Sequence, residues 1–397
     1  MNTFKKEKFK KVINHKSGYT WSKEQELSKP NNGALRVLTI TNVQKELELS
    51  SELYLKNVSE KDRVNKAVSK EWTIAVSSNG NRKRIGNAVF IEEDTEFLFA
   101  SFLTAFKPKP DSDILPKYFY YWFNSHTIQE RITSVSEGTT GLGNLDIRYL
   151  RNIDIEYPQD LAEQRKIASI LTKVDDAIQA VKNTIEKAER LKKSLMQNLL
   201  TGNLKPDGTW RTEDEFYIDE KFGKVPVGWE VKKWGQLITL EYGRSLNGNK
   251  EGEIPVYGTN GQIGYTSMTM CNSEGIIVGR KGAYREIHYS NKPFWVIDTA
   301  FYAVPKIDLC ILWAYYSLKI IDINRFDSGS AIPSTNKKDV YFNKAIVPPK
   351  TEQILISAKI TSIAKIIESK KIKIQKLEFL KKSLMQNLLT GKVRVKV

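Results

Sequence analysis

Two stretches of the chain carry apolar residues in alternating steps of three and four. In the first, Ile167, Val174, Val181, Ala188 and Leu195 lie seven apart, and Leu171, Ile178, Ile185 and Leu199 form a second row that Lys192 interrupts. In the second, the rows are Ile356, Ile363, Leu377, Leu384 and Ile360, Ile367, Ile374, Leu388, interrupted by Lys370 and Lys381. This spacing is the seam of a coiled coil; two ordinary amphipathic helices on separate cores are the plainer alternative. Neither stretch holds Pro or Gly before Gly202 and Gly391, which sit where a C-terminal cap belongs. Each predicts a helix of about 40 residues, roughly 60 Å long.

The pattern between and before these helices is different. Residues 1–157 and 204–349 are rich in Tyr, Trp, Phe, Val, Ile, Gly and Asn, with short apolar runs bounded by turn residues. Such runs predict strands. They include Trp72-Thr-Ile-Ala-Val-Ser, Ala88-Val-Phe-Ile, Gly275-Ile-Ile-Val-Gly and Phe301-Tyr-Ala-Val. Each segment also carries a short aromatic helix pattern, Lys117-Tyr-Phe-Tyr-Tyr-Trp-Phe and Leu312-Trp-Ala-Tyr-Tyr-Ser-Leu, better suited to a core than to base stacking. Leu204-Lys-Pro-Asp-Gly-Thr-Trp reads as a linker. The expected organisation is globule 1–157, helix 158–203, globule 204–349 and helix 350–397.

This order is a duplication. Leu191 to Gly202 and Leu380 to Gly391 are the same twelve residues, Leu-Lys-Lys-Ser-Leu-Met-Gln-Asn-Leu-Leu-Thr-Gly, at an offset of 189. The same offset pairs Glu163-Gln164 with Glu352-Gln353 and Ile167 with Ile356. Two equal halves pack most simply about a two-fold axis, which makes the helices antiparallel and puts the globules at opposite ends of a rod.

Charge supplies a partner. Lys and Arg number 62 against 46 Asp and Glu, a formal net charge of +16. That suits an anionic polymer, although a merely solvated basic surface reads the same way. The basic amino terminus lacks the apolar core of a signal peptide, and no run is long enough to span a bilayer. With only Cys271 and Cys310, and with His15, His126 and His288 far apart, neither a disulfide framework nor a cysteine-rich zinc site is expected. That fits a reducing cytoplasm. A two-fold protein can set equivalent surfaces in successive DNA grooves, so its module spacing becomes a ruler. Globules that differ would read different half-sites.

These marks together resemble the specificity subunit of Type I restriction–modification systems. They are the duplicated Glu-Gln-initiated helices ending in Leu-Leu-Thr-Gly, Val225-Pro-Val-Gly-Trp-Glu, Ile254-Pro-Val-Tyr-Gly-Thr-Asn-Gly-Gln-Ile-Gly and Asp298-Thr-Ala-Phe. The first globule has looser counterparts in Leu35-Arg-Val-Leu-Thr-Ile-Thr-Asn, Phe99-Ala-Ser-Phe and Gly138-Thr-Thr-Gly, and lacks the Pro-x-Gly-Trp-Glu opening. The resemblance covers nearly the whole chain. It implies an α+β fold in which two mixed target recognition domains are separated by two long antiparallel coiled-coil helices. It also implies that the chain is not itself an enzyme. Its partners would be double-stranded DNA, two methyltransferase subunits and, in the full complex, restriction subunits. S-adenosylmethionine, ATP and magnesium would sit on those partners.

The chain's own chemistry fits that division. It has no Asn/Asp-Pro-Pro-Tyr/Phe methylation motif, Val347-Pro-Pro-Lys being the nearest, and no Gly-x-x-x-x-Gly-Lys-Ser/Thr phosphate loop. Gly138-Thr-Thr-Gly-Leu-Gly has the wrong order for a dinucleotide loop. Asp207 with Asp219-Glu220-Lys221 imitates a nuclease triad, but lies in a linker where nothing aims two carboxylates at one metal ion. The expected DNA-contacting residues are Asn79, Arg82, Lys83 and Arg84 in the first globule and Arg280, Lys281, Tyr284 and Arg285 in the second. Lys337 and Lys338 are phosphate candidates, and Thr41, Asn42, Thr259 and Asn260 are either readers or turn-formers. Along the helices Ile167, Leu171, Val174, Ile178, Val181, Ile185, Ile356, Ile360, Ile363, Ile367, Ile374 and Leu377 are the expected seam. Leu195, Met196, Leu199, Leu384, Met385 and Leu388 are expected to be exposed for partner docking. Two other readings stay open: a basic coiled-coil scaffold, and a self-contained restriction–modification enzyme.

Overall fold

The structure, a computed structural model, describes residues 4–136, 143–220, 222–246, 248, 251–326 and 333–396. The Gly138-Thr-Thr-Gly stretch and Lys221 lie outside these residues. The chain forms two compact units, one of Met1–Lys182 with Ile372–Val397, the other of Asn183–Lys371. The division passes through both long helices, Leu161–Leu200 and Lys350–Leu388. Each unit therefore holds one globule and a portion of each helix.

In the first unit, β-branched and aromatic runs make a four-stranded antiparallel sheet. Its spatial order is Ile13–Ser17, Leu103–Pro108, Thr73–Val76, Ala88–Phe90. The aromatic helix Pro116–Phe123 covers it, with Pro116 at its first turn, where a missing N–H costs nothing. Phe9, Phe106, Phe119 and Phe123 share one core with Ile167, Leu171, Met385 and Leu388 of the long helices. The second unit repeats the plan. Its sheet runs Ile238–Tyr242, Ala300–Pro305, Gly275–Gly279, Ile287–Ser290, again antiparallel. The aromatic helix Ile311–Lys319 covers it, and Trp234, Trp313 and Phe301 share a core with Leu199, Leu200, Ile356 and Ile360. Even the register repeats: Ile13 pairs with Pro108, and Ile238 with Pro305.

The Glu-Gln pair at the head of each long helix has the same task in both units. Gln164 accepts from the amide of Leu115, the residue before the aromatic helix, at 2.8 Å, and donates to the Asp113 and Pro158 carbonyls. Gln353 accepts from the amide of Cys310, which precedes the second aromatic helix, at 2.9 Å, and donates to the Pro348 carbonyl. Glu163 is buried and holds Arg394 through two hydrogen bonds of 2.7 and 2.6 Å. Glu352 holds Arg211 and accepts from the Trp229 indole at 2.9 Å. About two turns further on, the Tyr121 and Tyr316 hydroxyls meet Thr172 and Thr361, each at 3.0 Å.

Within each unit the two helix portions run antiparallel. In the first, Glu163 meets Arg394 and Asp175 meets Lys381 at 2.6 Å. In the second, Glu189 meets Lys371 at 3.5 Å, and Glu352 meets Arg211 beyond the first helix's end. Of the expected seam, Ile167, Leu171, Ile178, Val181, Ile356, Ile360 and Ile367 are buried; Val174, Ile185, Ile363, Ile374 and Leu377 are half-buried. Gly202 and Gly391 have φ of 75° and 73° and end the helices, a conformation that costs any residue with a Cβ about 1 kcal/mol or more.

The repeated endings are not a free docking patch. Leu199, Met385 and Leu388 are buried in the two cores, and Leu195, Met196 and Leu384 pack against them. Burying a leucine contributes about 1.5–3 kcal/mol, so these side chains stabilise the units themselves. The seven-residue periodicity marks which residues turn inward, without saying whether the covering surface is a partner or the chain's own sheet.

The Arg394 hydrogen bonds hold the Glu163 carboxyl below its ordinary range, against the opposing effect of burial. A carboxyl with a depressed folded-state value adds stability above its unfolded value of 4.5, and that stability is lost as pH falls through the folded value. Glu163→Gln is expected to lower unfolding stability by about 2 kcal/mol at pH 7. In thermal melts the gap to wild type should close below about pH 4, the region of carboxylate protonation.

Candidate nucleic-acid interface

In the first unit, folding joins two loops that are far apart in sequence. Arg84 reaches back from the end of the Asn79–Arg84 segment, and its Nη2 donates to the Val43 carbonyl at 2.9 Å and the Ile40 carbonyl at 3.1 Å. The Thr39–Val43 turn thereby lies against the Asn79–Arg84 segment. Asn79 Oδ1 accepts from the Asn81 amide and Asn81 Oδ1 from the Lys83 amide, folding the segment into a single 3-10 turn over Arg82–Arg84. Arg82 and Lys83 are exposed at its tip. Thr41 is exposed beside Thr39, with hydroxyl oxygens 2.7 Å apart.

The second unit joins its loops in the same way. The Thr259 hydroxyl donates to the Lys281 and Thr299 carbonyls at 2.9 and 2.6 Å. The Gly282 amide donates to the Pro333 carbonyl at 3.0 Å, which brings the start of the helix Lys337–Phe342 to the same end of the sheet. Asn260, Tyr284 and Lys338 are exposed there, Tyr284 at 79%. Lys281 pairs with Asp298 at 3.6 Å. Arg280 and Lys337 both lie over the Tyr242 ring, at 4.9 and 4.1 Å from its centroid. Burial holds His288, beside the Thr259 carbonyl, below its ordinary value, so it adds no charge to this surface at pH 7.

Four expected contact residues serve the fold instead. Asn42 is 1% exposed; its Oδ1 accepts from the Thr39 amide and hydroxyl, and its Nδ2 donates to the Glu48 and Ser51 carbonyls. Arg285 is 2% exposed, with Nη2 donating to the Phe326 and Asn324 carbonyls at 2.7 and 3.1 Å. Thr259 is buried under its two carbonyl partners, and Arg84 is held as described above. Asn42 is thus a turn-former, whereas Thr259 ties distant loops together. Asn and Arg have the same donors whether they read a base or tie a loop, so composition alone does not separate the two uses. Tyr242 was missed for the opposite reason: the cations that share its ring come from distant segments. The nuclease-like acids do not converge on a site. Asp207 accepts from the Thr209 amide and hydroxyl within its own turn, and Asp219 belongs to the hairpin with Gly223–Pro226.

A second pair of surfaces is equivalent between the units. A cleft of about 920 Å³ in the first is lined by Glu378, Lys381, Lys382, Met385 and Gln386, beside the end of the aromatic helix at Trp122. A cleft of about 570 Å³ in the second is lined by Glu189, Lys192, Lys193, Met196 and Gln197, beside Lys319 and Ile320. These are the same five residues of the repeat. Burial, with Lys319 and Lys371 nearby, holds the Lys192 ammonium below its usual value. Leu191 and Leu380 occupy the same repeat position and are 49% and 45% exposed.

The two units are thus copies of one sheet plan with basic, unlike loops at its ends. Residues 1–190 and 226–378 match the family described as the Type I restriction modification DNA specificity domain, and the chain belongs to that family. It is 25% identical over 345 residues to a putative type I restriction enzyme MjaX specificity subunit of Methanocaldococcus jannaschii, covering 81% of this chain and 79% of that one. It is likewise 25% identical to the MjaIX specificity subunit of the same organism, over 72% of this chain and 71% of the relative. In fold it resembles the S subunit of a Type I restriction–modification system from M. genitalium, with TM-score 0.63, 16% identity, and coverage of 98% and 96%. A chain from a structure of type I restriction–modification complex assembly gives 0.54 at 13% identity, covering 99% of both.

Removing the Asn42 side chain leaves buried amide and carbonyl groups unpaired. Asn42→Ala is expected to destabilise by about 2 kcal/mol, against at most about 0.5 kcal/mol for Lys83→Ala, in urea unfolding of the two variants.

Proposed function

We propose that this chain is the non-catalytic, DNA-reading subunit of a cytoplasmic Type I restriction–modification complex. Each globule reads one half of an asymmetric bipartite site. The observation that carries this reading is the contrast between scaffold and tip. The two sheets share strand order and register, while Asn79–Arg84 and Arg280–Arg285 present different chemistry from corresponding ends. Equivalent frames with unlike loops suit two unlike half-sites. Arg82, Lys83 and Thr41 face one half-site; Arg280, Lys281, Tyr284, Asn260, Lys337 and Lys338 face the other. Lysines set affinity through phosphates, and Arg and Asn are suited to base edges.

The twin clefts support two copies of one methyltransferase subunit, each seated on the Glu-x-x-Lys-Lys-x-x-Met-Gln face of one repeat. Restriction subunits join in the full complex. S-adenosylmethionine, ATP and magnesium belong to those partners. The unread base pairs between half-sites are counted by the long helices.

Co-expression with the methyltransferase subunit of its own system, followed by single-molecule mapping of methylated adenines, tests this reading. One bipartite motif with a fixed gap is expected. A well-formed complex without new methylation would return the scaffold reading to the front. Deleting one heptad from the first long helix, and its repeat equivalent from the second, should change the gap and leave both half-sites intact; an unchanged gap refutes the ruler. Changing Arg82 and Lys83 to Ala should degrade only the first globule's half-site.

A further inference from the structure

The two sheet ends differ at one four-residue cluster. In the second unit, Tyr242 ends its strand 52% exposed and meets the buried Phe301 ring edge-on at 5.1 Å. Arg280 and Lys337 lie over Tyr242, and each is also 5.7 Å from the Phe301 centroid. The shared register identifies the counterparts. Tyr242 falls on Ser17, Phe301 on Thr104, and Arg280 on Ser77. The helices Ile147–Asn152 and Lys337–Phe342 put Lys337 on Ile147. The first unit therefore has neither ring nor cation at these positions.

Two cations drawn to one aromatic ring repel each other. Each gains about 0.5–2 kcal/mol from the ring, depending on how far it is desolvated. Arg280 also donates to the Asp298 carbonyl at 3.1 Å, which leaves its charge uncompensated. Among the described residues neither cation forms an ion pair, whereas the adjacent Lys281 pairs with the Asp298 carboxylate. The cluster is preorganised for an anion with more than one oxygen. A lysine ammonium is a point charge that suits phosphate, and the Asp298 carbonyl occupies part of the Arg280 fork.

We infer that Arg280 and Lys337, aligned by the Tyr242 ring, clamp one backbone phosphate of the DNA half-site read by the second globule. Tyr242 is a positioning residue in this clamp. The inference rests on the DNA-reading function proposed above and adds where, and by which groups, one contact is made.

The test uses the assembled complex with its methyltransferase subunit, a duplex carrying the mapped motif, and a randomised duplex pool. Binding is followed against salt. Arg280→Gln and Lys337→Gln are each expected to reduce the slope of log K against log salt, and the double variant to reduce it by about 0.9 in all, the value for the one phosphate they share. Affinity should fall alike for the motif and for its single-base variants. Tyr242→Leu changes no charge and should still reduce the slope, whereas Tyr242→Phe should keep the wild-type slope. A ring that only packs would lower stability and leave the slope alone. Wild-type slopes in both charge variants, or altered base preference at an unchanged slope, would overturn the clamp. They would do so even if Tyr242→Leu failed to fold. A wild-type complex that binds motif and pool equally would instead refute the DNA-reading function itself.

Discussion

Each unit is organised around a Glu-Gln pair at the head of a long helix, with both glutamines and Glu163 buried and Glu352 half-buried. The glutamine has both amide atoms occupied, joining the residue before the aromatic helix to the chain entering the long helix. The glutamate neutralises an arginine that follows the other long helix. These bonds are charge-assisted or shielded from water, so removing one partner leaves a buried polar group unmet. The aromatic helix, and through it the sheet, is thereby oriented on the helix portions of its own unit. The loop tips inherit their position from that orientation.

Because the anchor is duplicated, scaffold and chemistry separate. Sheet order, register, tyrosine–threonine contacts and glycine caps recur in both units. The loops at the sheet ends do not recur. A serine, a serine and a threonine in one unit stand where Tyr242, Arg280 and Phe301 stand in the other. Tyr242 and Arg280 lie outside the buried anchor, so the chemistry at these sheet ends can diverge between halves while the anchor is kept; Phe301, buried in the core, is tied to the packing of its own unit. The lysine- and methionine-lined clefts behave in the opposite way, keeping the same five residues in both copies.

The sequence by itself determined the duplication, both long helices and their glycine ends, the aromatic helices and four of the core strands. Each of these is a local signal: period 3.5, a run of β-branched residues, or a residue able to take positive φ. It also placed the basic loops, because charge and turn formers cluster within a few residues. The tertiary structure decided the uses of those residues. Asn42, Thr259, Arg84 and Arg285 have the donors of base readers, yet carbonyls of its own loop occupy Asn42 and carbonyls from distant segments occupy the other three. Leu199 and Leu388 sit in a coiled-coil row, yet sheet and aromatic helix cover them. Tyr242 is unmarked in sequence, yet Arg280 and Lys337 converge on it. Hydrogen bonding and burial depend on what the fold brings within a few ångströms, and that proximity is absent from the linear pattern.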